Sequence, residues 1–178
     1  MLNFLEFGEA PILSKPTSSA VFVEQSVASL PRPKSKVFVV HGRDNEAKQE
    51  VSRFIENLGL DVIILHEKAS SGMTIIEKIE RYSSEADYAV VLYAACDHGR
   101  GAHEGKIKPR NRARQNVVFE HGYLMAKIGR KYVCALVKGD IETPNDTSGV
   151  VYVPLDESGG WKMEVSKELK ACGYTLNY

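Results

Sequence analysis

Five short apolar runs constrain the fold of this chain more than any other feature. They are Val37-Phe-Val-Val40, Val62-Ile-Ile-Leu65, Tyr88 to Tyr93, Val133 to Val137 and Val150-Val-Tyr-Val153. Each is apolar at every position rather than at alternate ones, so each predicts a strand covered on both faces, as in a parallel sheet wrapped by helices. The segments between them supply the helices. Ala47, Val51, Phe54, Ile55 and Leu58 form one helical stripe, with Gly59 at its end and Asp44 or Asn45 as its cap. Thr74 and Glu77 make a capping box for a helix running to about Ser84. Trp161, Val165, Leu169 and Cys172 mark a last helix closed by Gly173. Strands alternating with amphipathic helices predict an open α/β fold, a doubly wound, five-stranded parallel sheet with helices on both faces.

One further helix carries the candidate chemistry. Arg112 to Gly129 reads as a single amphipathic helix whose buried stripe is Val117, His121, Leu124, Met125 and Ile128. Gly129 suits a left-handed cap, and Lys127 lies where the helix dipole favours a cation. Glu120 falls off that stripe, in a polar row with Asn116, Tyr123 and Lys127 at the margin of the buried face. Gly122 costs roughly 1 kcal/mol against alanine in mid-helix, which suggests that a neighbour needs the space. From the helix alone, Glu120 is either half of a weak surface salt bridge or a functional carboxylate. His121 reads as a core histidine.

Composition narrows the class. The 178 residues fit one domain with something to spare, divided here into an N-terminal extension over 1–35 and a folded domain over 36–178. The extension mixes two weakly apolar patches with prolines and serines, and Pro31-Arg-Pro-Lys-Ser-Lys36 reads as an extended basic linker. It is either a tail or a segment that docks on a sheet edge or another subunit. Lys+Arg and Asp+Glu both number 23, so no net charge draws the chain to nucleic acid or membrane. Cys96, Cys134 and Cys172 are odd in number and widely spaced, which fits free thiols in a reducing cytoplasm. The longest apolar run, Tyr88 to Cys96, is too short to span a bilayer, and the N-terminus lacks the features of a signal peptide. A cytoplasmic location without a membrane is the expectation.

Several motifs in order resemble a known family. They are Val39-Val-His-Gly-Arg-Asp44, Ile64-Leu-His-Glu67, Gly72-Met-Thr-Ile-Ile-Glu77, Arg114-Gln-Asn-Val-Val-Phe-Glu-His-Gly-Tyr123 and Ser148-Gly-Val-Val-Tyr-Val-Pro154. Together they look like bacterial TIR-like nucleotide-binding domains, the branch that includes STING-linked TIR effectors of anti-phage defence. The resemblance covers roughly residues 36 to 175. It implies a flavodoxin-like sheet of order 2-1-3-4-5, cleavage of NAD⁺ as substrate with no separate cofactor, and a catalytic glutamate at Glu120. It also implies activity on self-assembly, with the loop His66 to Met73 completing a neighbour's site. It leaves room for a sensor domain or partner protein. That loop has no aromatic residue to stack on adenine.

In a sheet of that order, ligands bind beyond the carboxyl ends of the strands, where the order switches between strands one and three. That places His41, Gly42, Arg43 and Asp44 around one crevice with Tyr93 to Gly99. The candidate substrate-binding residues are His41, Gly42, Arg43, Asp97, Arg114 and Asn116, with Arg43 as an anion contact or a solvated turn arginine. The chain contains neither G-x-G-x-x-G nor G-x-x-x-x-G-K-[ST], which argues against a dinucleotide-binding dehydrogenase or a P-loop enzyme. Cys96, Asp97, His98, His103 and Glu104 lack metal-ligand spacing, so no metal is expected. Arg100, Lys106, Lys108, Arg110, Arg112 and Arg114 have no interleaved aromatics, which argues against sequence-specific nucleic-acid binding. A basic rim attracting an anionic dinucleotide explains them.

The chemistry matches the inventory. An ordinary glycoside needs two carboxylates, one of them an acid for the departing oxygen. Nicotinamide leaves NAD⁺ as a neutral base, so a single carboxylate facing the ribosyl cation suffices. Two other readings stand beside the NAD⁺ glycohydrolase. One is a non-catalytic nucleotide-sensing or assembly module. The other is a receiver-like domain with Asp97 as phosphoacceptor and Asp44 and Lys138 as partial acidic and basic partners.

Overall fold

The computed structural model describes residues 34–144 and 150–177. The extension expected over 1–35 falls almost wholly outside the described residues, as do Ser148 and Gly149 of the last motif.

Five strands form one parallel sheet: β1 (Lys36–Val40), β2 (Asp61–Ile64), β3 (Tyr88–Tyr93), β6 (Val133–Val137) and β7 (Val151–Pro154). Their order is β2-β1-β3-β6-β7, so β1 is an inner strand flanked by β2 and β3, as expected. The all-apolar runs are explained by alternation. Val37, Val39, Val90, Leu92 and Leu136 belong to one core cluster, and Phe38, Val40, Ala89, Val91 and Ala135 to the other. Successive side chains point to opposite faces, and both faces are buried. On the first face lie α1 (Asn45–Asn57) and α4 (Gly160–Ala171), presenting Ala47, Val51 and Ile55, and Trp161, Val165 and Leu169. On the second lie α2 (Ile75–Ser83) and α3 (Gln115–Ile128), presenting Ile79, and Val117 and Leu124. Edge strand β7 ends on Pro154, a residue that the interior of a sheet excludes.

Local signals behave as read. Asp44 caps α1 by accepting from the Ala47 N–H at 2.9 Å. Thr74 and Glu77 form the reciprocal capping box, with the Thr74 N–H donating to Glu77 at 2.6 Å.

Other details differ. Strand two starts at Asp61, and Leu65 opens a 3₁₀ turn, because the chain must bend away once it clears the sheet. The irregular stretch before α3 contains an antiparallel hairpin, β4 (Asp97–Gly99) and β5 (Arg110–Arg112). Arg112 is therefore a strand residue. The helix begins at Gln115 with Arg114 as its cap, where Arg114 adopts φ −56°, ψ 138°. Gly129 has φ +94° but ψ 140°, so it turns the chain without the left-handed helical cap. Gly122 is exposed, and a Cβ there would meet nothing within 4 Å, so no neighbour among the described residues requires its smallness.

Candidate functional site

The turn leaving β1 meets two other segments at the β1/β3 switch point. A Cβ on Gly42 would lie 2.5 Å from Cys96 Sγ and 3.7 Å from Arg114 Cβ. A side chain here would force Cys96 to shift, so Gly42 lets the β1 turn lie close against the segment after β3 and the cap of α3. The Arg43 N–H points at Cys96 Sγ, 3.4 Å away, while its side chain is exposed. Asp44 takes an ion pair from Lys138 at 2.9 Å, just past β6. Burial opposes ionisation of Asp44, but the Ala47 N–H and the Lys138 ammonium outweigh it and hold the carboxyl below its ordinary value.

His41 is half-buried. Its Nδ1 lies 3.0 Å from the Gly42 carbonyl oxygen, and its ring centroid is 5.3 Å from that of His66. Burial, the neighbouring His66 and Lys48 together lower its pKa, which favours the neutral ring.

Glu120 is the main departure from the sequence reading. It lies at the margin of the stripe, as its spacing predicts, but is only 5% exposed. At about 100° per residue, Glu120 and His121 lie about 50° to either side of the line through Val117 and Leu124, so both flank the buried stripe. The His121 side faces Tyr93 and Tyr152, with Nδ1 2.8 Å from the Tyr93 hydroxyl. Burial pushes the His121 pKa down to about 4, as suits a neutral core histidine. The Glu120 carboxylate is on the opposite flank and takes no hydrogen bond or ion pair among the described residues. Burial pushes its pKa up to about 7, and the Arg114 guanidinium partly offsets that.

The expected residues therefore divide into groups. Gly42, Arg43 and Arg114 are brought together, with His41 beside them, and Arg114 links this turn to Glu120 through its field. Asn116 is exposed on the first turn of α3. Asp97 sits opposite Arg112 in the hairpin and lines a cleft of about 390 Å³ with His98, Gln115, Val118, Glu142 and Pro144, a lining that does not include His41, Gly42, Arg43, Arg114 or Glu120. Two arginines expected to form the basic rim are engaged internally, since Glu142 takes Arg112 at 2.6 Å and Arg110 at 3.5 Å. Cys96 as the floor under Gly42, and Glu142 as the arginine partner, escaped the sequence reading because neither pairing leaves a local pattern. Among the described residues, no group of three or more His, Cys, Asp or Glu side chains is arranged to hold a metal ion. Nor is any described helix long and apolar enough to cross a membrane.

Residues 36–157 match the family model for the TIR domain of the CAP12/Pycsar effector protein. An uncharacterised protein of Escherichia coli K12, YuaY, is 48% identical over 143 residues, which is 80% of this chain and 47% of that protein. Protein tirC of Dictyostelium discoideum is 34% identical over 130 residues, 68% of this chain and 65% of that protein. The chain thus spans about half to two thirds of the length of these curated relatives.

Proposed function

The chain belongs to the TIR domain family of CAP12/Pycsar effectors, and from that premise we propose that it is an NAD⁺ glycohydrolase with Glu120 as its catalytic residue. The observation that carries this reading is a buried carboxylate on a rigid helix, without an ion-pair partner among the described residues, on the flank of α3 away from β7. In the reaction the bond between ribose C1′ and the nicotinamide nitrogen breaks. Its electron pair goes to that nitrogen, which leaves neutral, and C1′ becomes an oxocarbenium-like cation. The Glu120 carboxylate stabilises this cation across a short, poorly solvated distance, where a charge is worth far more than in water. Water then adds to C1′ and gives up its proton to solvent, which yields ADP-ribose. Attack by a group of the same nucleotide would give a cyclic product instead. Arg43 draws in the pyrophosphate, and Arg114 favours the ionised form of Glu120 against the burial that opposes it.

The same reading makes the domain an effector of anti-phage defence in the cytoplasm, active when copies associate through the loop His66 to Met73. Three consecutive residues at the root of that loop are anchored. The His66 ring lies against His41, Glu67 pairs with Lys48 at 2.8 Å, and the Lys68 carbonyl accepts from the buried Lys78 at 2.6 Å. A loop fixed at its root presents its tip, Ala69 to Gly72, in a defined position, which suits docking on a neighbour.

The test is nicotinamide release from NAD⁺ by concentrated or crowded protein, comparing the native chain with Glu120→Gln. Release by the native chain alone supports the assignment. No release by either, under conditions where copies assemble, replaces the enzyme with a non-catalytic assembly module.

A further inference from the structure

We infer that His41 is a positioning residue that sets which end of a bound nucleotide faces β1, by offering a lone pair that accepts an O–H or N–H donor and repels phosphate. The inference rests on the nucleotide-binding reading above and specifies how the β1 turn discriminates within the ligand. It starts from the tautomer. His41 Nδ1 lies 3.0 Å from the Gly42 carbonyl oxygen, which can only accept, so Nδ1 carries the proton. In the neutral ring Nε2 is then a pure acceptor. Burial, His66 and Lys48 all act to keep the ring neutral. Nε2 itself is shielded from solvent and has no hydrogen-bond partner among the described residues, which leaves a polar atom waiting for a donor.

Its surroundings make this chemically selective. Two residues on, the same turn carries the exposed Arg43, and a Cβ on Gly42 would nearly touch Cys96 and Arg114. One side of the turn therefore attracts anions, while the other presents a lone pair that no phosphate oxygen can approach favourably. A dinucleotide satisfies both when its phosphates lie toward Arg43 and a ribose hydroxyl or carboxamide N–H lies toward His41. Rotation of the exposed His66 side chain, with Glu67 and Lys68 keeping the loop root in place, would admit that donor.

Two substitutions separate the roles of the two nitrogens. In His41→Asn the side-chain amide replaces Nδ1 and keeps the bond to the Gly42 carbonyl, but nothing occupies the place of Nε2. In His41→Gln the amide oxygen reaches the place of Nε2. NAD⁺ affinity is measured by calorimetry in the Glu120→Gln background, which prevents turnover. The expected result is binding by His41→Gln within about threefold of the unsubstituted background and weakening of about tenfold in His41→Asn, the loss of one hydrogen bond to ligand. Nitrogen-15 spectra of the free protein should show Nδ1 protonated and Nε2 bare, with the Nε2 resonance moving on addition of NAD⁺. Full affinity in His41→Asn, equal losses in both folded variants, or an Nε2-protonated tautomer overturns the inference. Failure of the unsubstituted background to bind NAD⁺ overturns the nucleotide reading and the inference with it. A normal tautomer and unaltered binding in both variants overturns the inference alone.

Discussion

The Glu120 carboxylate and the Arg114 guanidinium are set against each other across the first turns of α3. Burial pushes the carboxyl up to about 7, and Arg114, at the cap, is the cation that pulls it back. A site built this way has a carboxylate that ionises near neutral pH, where small changes around it alter its charge.

Glu120→Gln keeps size and most polarity but removes the charge that, in the proposed mechanism, faces the ribosyl cation. Nicotinamide release should fall by roughly two to four orders of magnitude, at about 1.4 kcal/mol per tenfold. Turnover at the native rate in that variant would remove Glu120 from the mechanism.

The same substitution should change stability with pH. The folded-state pKa of Glu120 is raised from 4.5 to about 7, so between those values the native state binds more protons than the unfolded chain. Stability from this group is therefore fully present below about pH 4.5 and is lost as pH rises through 7. At pH 8 Glu120→Gln should be more stable than the native chain by on the order of 1 to 3 kcal/mol, and the gap should shrink toward pH 5. Urea unfolding of both proteins at the two pH values measures it. A gap that does not change with pH would mean that Glu120 is well solvated.

Arg114→Met should push the Glu120 pKa higher, because the opposing charge is gone while the burial remains. The rise of nicotinamide release with pH should then shift to more alkaline values, with activity recovering at high pH. An unmoved pH profile would dissociate Arg114 from Glu120.

Gly42→Ala should disturb the turn, since its Cβ would sit 2.5 Å from Cys96 Sγ. Overpacking of this kind costs about 1 to 3 kcal/mol. Adding Cys96→Ala should return part of that, so the double substitution should cost less than the sum of the two singles. Strict additivity in denaturant unfolding would show that Cys96 simply rotates away.

Much of this molecule was legible in its residues, for a common physical reason. The apolar runs, the Thr74–Glu77 capping box and the Asp44 cap are settled within a turn of helix or a few residues of strand. The chain therefore carries them without reference to distant partners. Their alternation was enough for the parallel sheet with helices on both faces, whereas Glu120 read from its helix alone as either half of a surface salt bridge or a functional carboxylate, and only the resemblance to TIR-like domains singled it out. What the tertiary structure alone decided is how segments far apart in the chain meet. Helical spacing put Glu120 on the edge of the stripe, but its exposure depends on what packs beside α3, and there it is 5% exposed. Arg110 and Arg112 looked like free positive charge until Glu142, 30 residues after Arg112, was brought against them. The contact of Gly42 with Cys96 and the orphan Nε2 of His41 likewise exist only once β1, β3 and the loop after β2 share one end of the sheet. Periodicity is a property of neighbours in sequence, whereas desolvation and charge pairing belong to neighbours in space, and the Glu120 carboxylate owes its pKa to the second kind.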